Sequence, residues 1–175
     1  ELMDIMRLDH FKGFVKYFLS PILQMQYRLK HSKYNKIGKR VHFSKDTLLG
    51  RNCKIGDNVI FGRKVVISDN VVIGKGCEIE RICVGDNSVI EGKIIITGTR
   101  KGIIKIGKES FVGHNTVLDH SDNITIGDYV HIGYSHFWTH SSALQAFNGV
   151  KLSDKDIKYR PTAPIVIEDN VYIGV

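Results

Sequence analysis

From residue 37 onward the apolar positions recur in steps of six. An aliphatic or aromatic residue followed by Gly occurs at Ile37, Leu49, Ile55, Phe61, Ile73, Val84, Ile106, Val112, Ile126, Ile132 and Ile173. Phe43, Ile67, Ile79, Ile90, Ile96, Leu118, Trp138 and Ile167 fill the gaps and make the series nearly unbroken. An Asp-Asn pair or a close relative begins two residues after the inward position repeatedly, as in Asp57-Asn58, Asp69-Asn70, Asp86-Asn87 and Asp169-Asn170. Strands that alternate in a sandwich do not explain a period of six. The physical reading is one inward apolar residue per hexad, with the polar pair turning a corner in conformations that Asn, Asp and Gly tolerate. The fourth residue after the inward position is small or β-branched (Val59, Val65, Val71, Ser88, Ser110, Thr116, Val130, Val171), which fits it beside the neighbouring coil. Three hexads close one triangular coil, and stacked coils bury a continuous core. The pattern predicts an all-β solenoid, a parallel β-helix of about six coils over 37–175.

Residues 1–33 differ. Gly is nearly absent, and Leu8, Phe11, Phe14, Val15, Phe18, Leu19, Ile22 and Leu23 follow a helical rhythm of three and four. Ser20-Pro21 reads as a break and restart, with Ser as N-cap and Pro at the first helical position. Arg7, Lys12, Lys16, Arg28, Lys30 and Lys33 make the outer face basic. An amphipathic helix that caps the end of the solenoid is the favoured reading. A peripheral membrane contact through residues 1–33 is the alternative.

A regular solenoid only stacks, so chemistry is sought where the repeat breaks. One expansion lies between Ile96 and Ile106, around Thr97-Gly98-Thr99-Arg100-Lys101-Gly102. A second follows Leu118, through Asp119-His120-Ser121-Asp122-Asn123. The largest follows Trp138: residues 143–164 form a polar excursion closed by Pro161 and Pro164, expected to be an active-site loop. By phase, Leu118, Ile126, Ile132 and Trp138 are successive inward positions. Asp119-His120 is then expected directly beneath Thr139-His140, about one strand spacing (roughly 5 Å) below. Of the eight His, five fall between 114 and 140 (His114, His120, His131, His136, His140), which favours a site there over a solvated surface.

Charge and cysteines narrow the partners. The formal net charge of +7 favours negatively charged partners, such as the phosphates of a nucleotide, of CoA or of a lipid surface. Cys53, Cys77 and Cys83 have neither metal-ligand nor disulfide-framework spacing and are read as small reduced residues of a cytoplasmic protein. No apolar run reaches transmembrane length and no signal-peptide pattern is visible. The chain opens on Glu1 and is expected to be cropped or processed there.

Across roughly 37–175 the repeat resembles the hexapeptide-repeat acyltransferases, in particular the bacterial sugar and polysaccharide O-acetyltransferases. The resemblance implies left-handed coils, against the usual crossover rule, and a homotrimer with an active site shared between subunits. It also implies acetyl-CoA as acyl donor, with no metal and no nucleic acid required. That family places its catalytic His at the end of a coil just before a loop insertion, and His140 in Trp138-Thr139-His140-Ser141-Ser142 matches that place. Many relatives carry a His-x-His pair here, whereas this chain has Ser at 142. His140 is therefore the expected general base, with His120 as the reserve candidate or a group orienting the acceptor. Asn115, Asp119, Thr139 and Ser142 are assigned to substrate binding, with Asp119, Asp122 and Asn115 as candidates to hold the imidazole tautomer or bind sugar hydroxyls. Tyr172 and Gly174, in the last coil, are assigned to the donor. The coils that contact CoA usually extend past the hexad at Ile173, so the donor site is expected to be incomplete at the C-terminus. A basic amphipathic N-terminus fits work at the inner face of a membrane.

Three other readings stand beside this one. An amino-sugar N-acetyltransferase uses the same base. A resemblance to γ-class carbonic anhydrases rests on His131 and His136, five apart, and lacks a third ligand. A scaffold that keeps the fold without chemistry is the last. Trp138 is expected in the core by its phase, although a sugar could stack on it.

Overall fold

The computed structural model describes residues 21–98, 101–151 and 159–174. One helix, α1 (Pro21–Ser32), precedes a parallel β-solenoid. Its strands run β1 (Lys36–Ile37), β2 (Thr47–Leu49), β3 (Lys54–Ile55), β4 (Ile60–Phe61), β5 (Val65–Ile67) and β6 (Val72–Ile73). They continue with β7 (Glu78–Ile79), β8 (Ile82–Val84), β9 (Val89–Ile90), β10 (Ile95–Thr97), β11 (Ile104–Ile106) and β12 (Phe111–Val112). The last are β13 (Val117–Asp119), β14 (Ile124–Ile126), β15 (His131–Ile132), β16 (His136–Phe137), β17 (Ile165–Ile167) and β18 (Tyr172–Ile173), with a short helix α2 (Ala143–Phe147) between β16 and β17.

Every third strand stacks on its predecessor, giving three parallel sheets. The first, of seven strands, is β1-β3-β6-β9-β12-β15-β18; the second, of five, is β4-β7-β10-β13-β16; the third, of six, is β2-β5-β8-β11-β14-β17. The first sheet registers Ile37, Ile55, Ile73, Ile90, Val112, Ile132 and Ile173 one above another. These are inward positions of the hexad series, so the period of six is the triangle seen along the chain.

The interior follows the pattern closely. Phe43, Phe61, Ile67, Ile73, Ile79, Ile90, Leu118, Ile126 and Ile132 are buried, and so are the small corner residues Val59, Val65, Val71, Ser88, Ser110, Thr116 and Val130. Between the third and first sheets, Asp side chains bind successive coils together. The Oδ1 atoms of Asp69, Asp128 and Asp169 accept the backbone N–H of Arg51, Lys108 and Asp128 at 2.7, 2.9 and 2.8 Å. The Asn after each of Asp57, Asp69, Asp86 and Asp169 takes the left-handed conformation, with φ between 58° and 61°, which Asn adopts at little cost.

One inward position is corrected. Leu118 pairs with Phe137, not with Trp138, and Trp138 is 52% exposed. The cause is a shortened corner: Ile132 to Phe137 takes five residues where Val112 to Leu118 takes six. In a period of two, a shift of one residue moves every side chain to the other face.

The open end below the first coil would leave backbone groups without partners, and α1 supplies them. The Gln24 side chain donates to the Phe43 carbonyl (2.7 Å) and accepts from the Phe43 N–H (2.9 Å). Arg28 donates to the carbonyls of Ile37 and Gly38, so it binds the first coil instead of joining the basic outer face. His31 is buried and stacks on Phe43, which stacks on Phe61; burial, aided by Lys30, lowers the His31 pKa. The apolar Ile22, Met25 and Leu29 point outward. The helical rhythm expected over Leu8–Leu19 and the Ser20 cap lie outside the described residues. Among those described, no helix is long and apolar enough to cross a membrane.

Candidate functional site

All three expansions of the repeat fall at one corner. The connections β10–β11, β13–β14 and β16–β17 join the second sheet to the third and stack one above another. The same corner is short in the early coils, where β7 and β8 are separated only by Glu80 and Arg81. Arg81 supports the first expansion by donating to the carbonyls of Lys101 and Gly102. Extra chain therefore accumulates coil by coil on one edge of an otherwise even stack.

At the top of that edge His140 meets Asp119. The imidazole Nδ1 lies 2.7 Å from Asp119 Oδ2. Asp119 is fully buried, while the His140 side chain is 18% exposed. The carboxylate is held from several sides. Thr139 N–H donates to Oδ2 at 2.9 Å, with the Thr139 hydroxyl 2.9 Å from the same oxygen. The Ser121 hydroxyl donates to Oδ1 at 2.8 Å, with its N–H at 3.2 Å. Burial alone would raise the Asp119 pKa. Hydrogen bonds from His140, Ser121 and Thr139, with the attraction of His140, outweigh it and hold the carboxyl below its ordinary range. An ionised carboxylate only accepts, so His140 Nδ1 carries the proton, and in the neutral imidazole the lone pair is left on Nε2.

Two contributors to this pocket escaped the sequence reading as site residues. Gly98 has φ +107°, and a Cβ there would collide with Asp119 Oδ1 and crowd the Ser121 N–H and hydroxyl. It is the wall that lets the buried carboxylate approach the coil below. Ser121 is the other. The Gly98 position lay within the first expansion, whose stacking beneath Asp119 needed the coil register to be seen.

The remaining candidates divide. Thr139 is buried and braces Asp119; its Oγ1 also accepts the Asp122 N–H at 2.9 Å. His120 is not beneath His140, because the Leu118–Phe137 register carries position 120 to Thr139. It is 1% exposed, with Nδ1 bonded to the Thr97 carbonyl and Nε2 facing Glu80 Oε1 at 3.6 Å. His120 thus belongs to the interior of the corner, where it ties two coils together. Ser142 is exposed and begins α2 without a side-chain cap bond. Asn115 is an exposed corner residue with φ 57° between the first and second sheets, a different corner from His140. Tyr172 and Gly174 belong to the outermost strand of the first sheet and its exit. Within one chain the fold does not bring Asn115, Tyr172 or Gly174 to His140. His131 and His136 likewise face outward from different sheets. Among the described residues no group of three or more His, Cys, Asp or Glu stands close enough to hold a metal ion.

The excursion after His140 is pinned at its neck. His140 bridges Thr162 in antiparallel fashion, Ser141 N–H donates to the Pro161 carbonyl, and Ala163 N–H donates to the Thr139 carbonyl. Asp122 accepts the Thr162 hydroxyl at 3.2 Å. The loop therefore leaves and rejoins the stack at the imidazole itself. Compared with protein-family models, curated proteins and solved structures, the chain matches none of them.

Proposed function

We propose that this chain transfers an acetyl group from acetyl-CoA to a hydroxyl of a sugar or surface-polysaccharide precursor, with His140 as general base. The observation that carries the reading is the Asp119–His140 pair at 2.7 Å, set at the neck of a loop in a solenoid whose repeat resembles the hexapeptide-repeat acyltransferases. Asp119 fixes the tautomer that turns the Nε2 lone pair to the acceptor. The acceptor hydroxyl gives its proton to Nε2 as its oxygen bonds to the thioester carbonyl carbon. The tetrahedral intermediate then collapses, the C–S bond breaks, and the imidazolium returns the proton to the leaving CoA sulfur.

The donor would lie between neighbouring subunits of a homotrimer whose coils wind left-handed, and Tyr172 and Gly174 are proposed to meet it there. The formal charge of +7 suits a donor bearing several phosphates. Work in the cytoplasm, at the inner face of the membrane, belongs to the same proposal. Calorimetric titration with CoA and acetyl-CoA tests it. Saturable binding of either supports the acyltransferase class, and no heat from both contradicts it. Sedimentation showing a stable monomer would remove the shared site.

A further inference from the structure

Trp138 is not a core residue but one ring in a row. Around β16, the outermost strand of the second sheet, three exposed rings alternate along the chain: Tyr134 in the bend before the strand, His136 on it and Trp138 just after it; the row ends at His140. Their ring centroids are spaced 5.2 Å (Tyr134–His136), 6.5 Å (His136–Trp138) and 5.9 Å (Trp138–His140), each pair meeting edge to face. Tyr134 is 47% exposed and Trp138 52%. Three aromatic rings in line, left open and leading into one imidazole, are not explained by packing.

We propose that Tyr134, His136 and Trp138 form a ledge that binds an oligosaccharide acceptor of more than one sugar ring and delivers its hydroxyl to His140. The chemistry fits a glycan. A pyranose has faces of C–H bonds that sit against the negative face of an aromatic ring, while its hydroxyls need donors and acceptors at the rim. The Tyr134 hydroxyl and the His136 nitrogens supply the latter. The row is also longer than one ring. The Tyr134–His136 and His136–Trp138 centroid spacings of 5.2 and 6.5 Å carry the row well past the width of one ring, more than a single pyranose needs. No Asp, Glu, Lys or Arg lies between 134 and 140, so the row itself offers rings and neutral hydrogen-bonding groups, not a charge, to its ligand.

The direction of the ledge rests on the acyltransferase reading; glycan binding does not, and the test separates the two. The chain has one Trp, so its emission reports the ledge directly. Maltotetraose, cellotetraose, chitotetraose and lacto-N-tetraose are titrated against the emission of the full chain, beside glucose, galactose, N-acetylglucosamine and CoA. At least one tetrasaccharide is expected to shift the emission at concentrations about tenfold below its monosaccharides, which is about 1.4 kcal/mol. Tyr134→Ala, which keeps the reporter and lies on the surface, is expected to remove that tenfold preference while leaving the monosaccharide response in place. No response to any tetrasaccharide, an equal response to mono- and tetrasaccharides, or a response to CoA alone would each overturn the ledge, the last by assigning the rings to the donor. A tetrasaccharide response in a protein that neither binds CoA nor consumes acetyl-CoA would keep the ledge and sink the transferase.

Discussion

The corner between the third and first sheets and the corner between the second and third are built from the same device and put it to different use. In both, a Gly on one coil lies against an Asp on the next: Gly107 against Asp128 and Gly127 against Asp169 in the regular corner, Gly98 against Asp119 in the expanded one. In the regular corner the carboxylate reaches back and accepts a backbone N–H of the coil below. In the expanded corner Asp119 accepts from Ser121 on its own coil and from Thr139 and His140 on the coil above. One arrangement satisfies the backbone and is finished. The other holds a partly exposed imidazole against a buried carboxylate, the pair that the proposed function uses as its base.

Substitutions sharpen that contrast. His140→Ala is expected to lower acetyl transfer by about two to four orders of magnitude with assembly unchanged; steady-state rates and sedimentation check it. Near-normal turnover would take His140 out of the mechanism and leave the expanded corner as structure only. Asp119→Asn is expected to cost roughly a hundredfold or more in rate, because the amide no longer enforces the tautomer. An unchanged rate would mean the two corners do not differ in use. Gly98→Ala is expected to cost about 1–3 kcal/mol from positive-φ strain and the clash with Asp119, lowering Tm by several degrees. Gly149→Ala, also at positive φ but with open space around it, should cost less in the same melting experiment.

Acid titration gives a smaller effect. The folded Asp119 pKa is lowered, so its contribution is fully present above the unfolded carboxylate value of about 3.9 and is lost as pH falls below it. Urea unfolding at successive pH values is expected to steepen below about pH 4 in the parent and less so in Asp119→Asn. Smallest of all, Asp128→Asn at the regular corner should cost about 1 kcal/mol or less and leave the rate unchanged.

The coils were legible because each hexad states its own geometry: an inward residue, a turn pair and a small neighbour, with Trp138 the inward position that failed. That failure came from the five-residue step to Phe137, which no local feature of Gly133-Tyr134-Ser135 announces. It moved Trp138 to the surface and displaced His120 from beneath His140. His140 itself was visible from its place before the excursion. Asp119 was only one of several turn carboxylates, because choosing it required knowing which coil atoms it faces. Gly98 was seen only as one residue of the first expansion, for the same reason. Side-chain partnerships across coils depend on register to one residue, and register is set by the summed length of irregular corners.

The most direct measurement is release of free CoA thiol from acetyl-CoA in the presence of sugar acceptors, by the parent chain and by His140→Ala. Acceptor-dependent release by the parent, reduced at least a hundredfold in the variant, is the predicted result. No release with any acceptor, or equal release by both, would contradict a base built from Asp119 and His140.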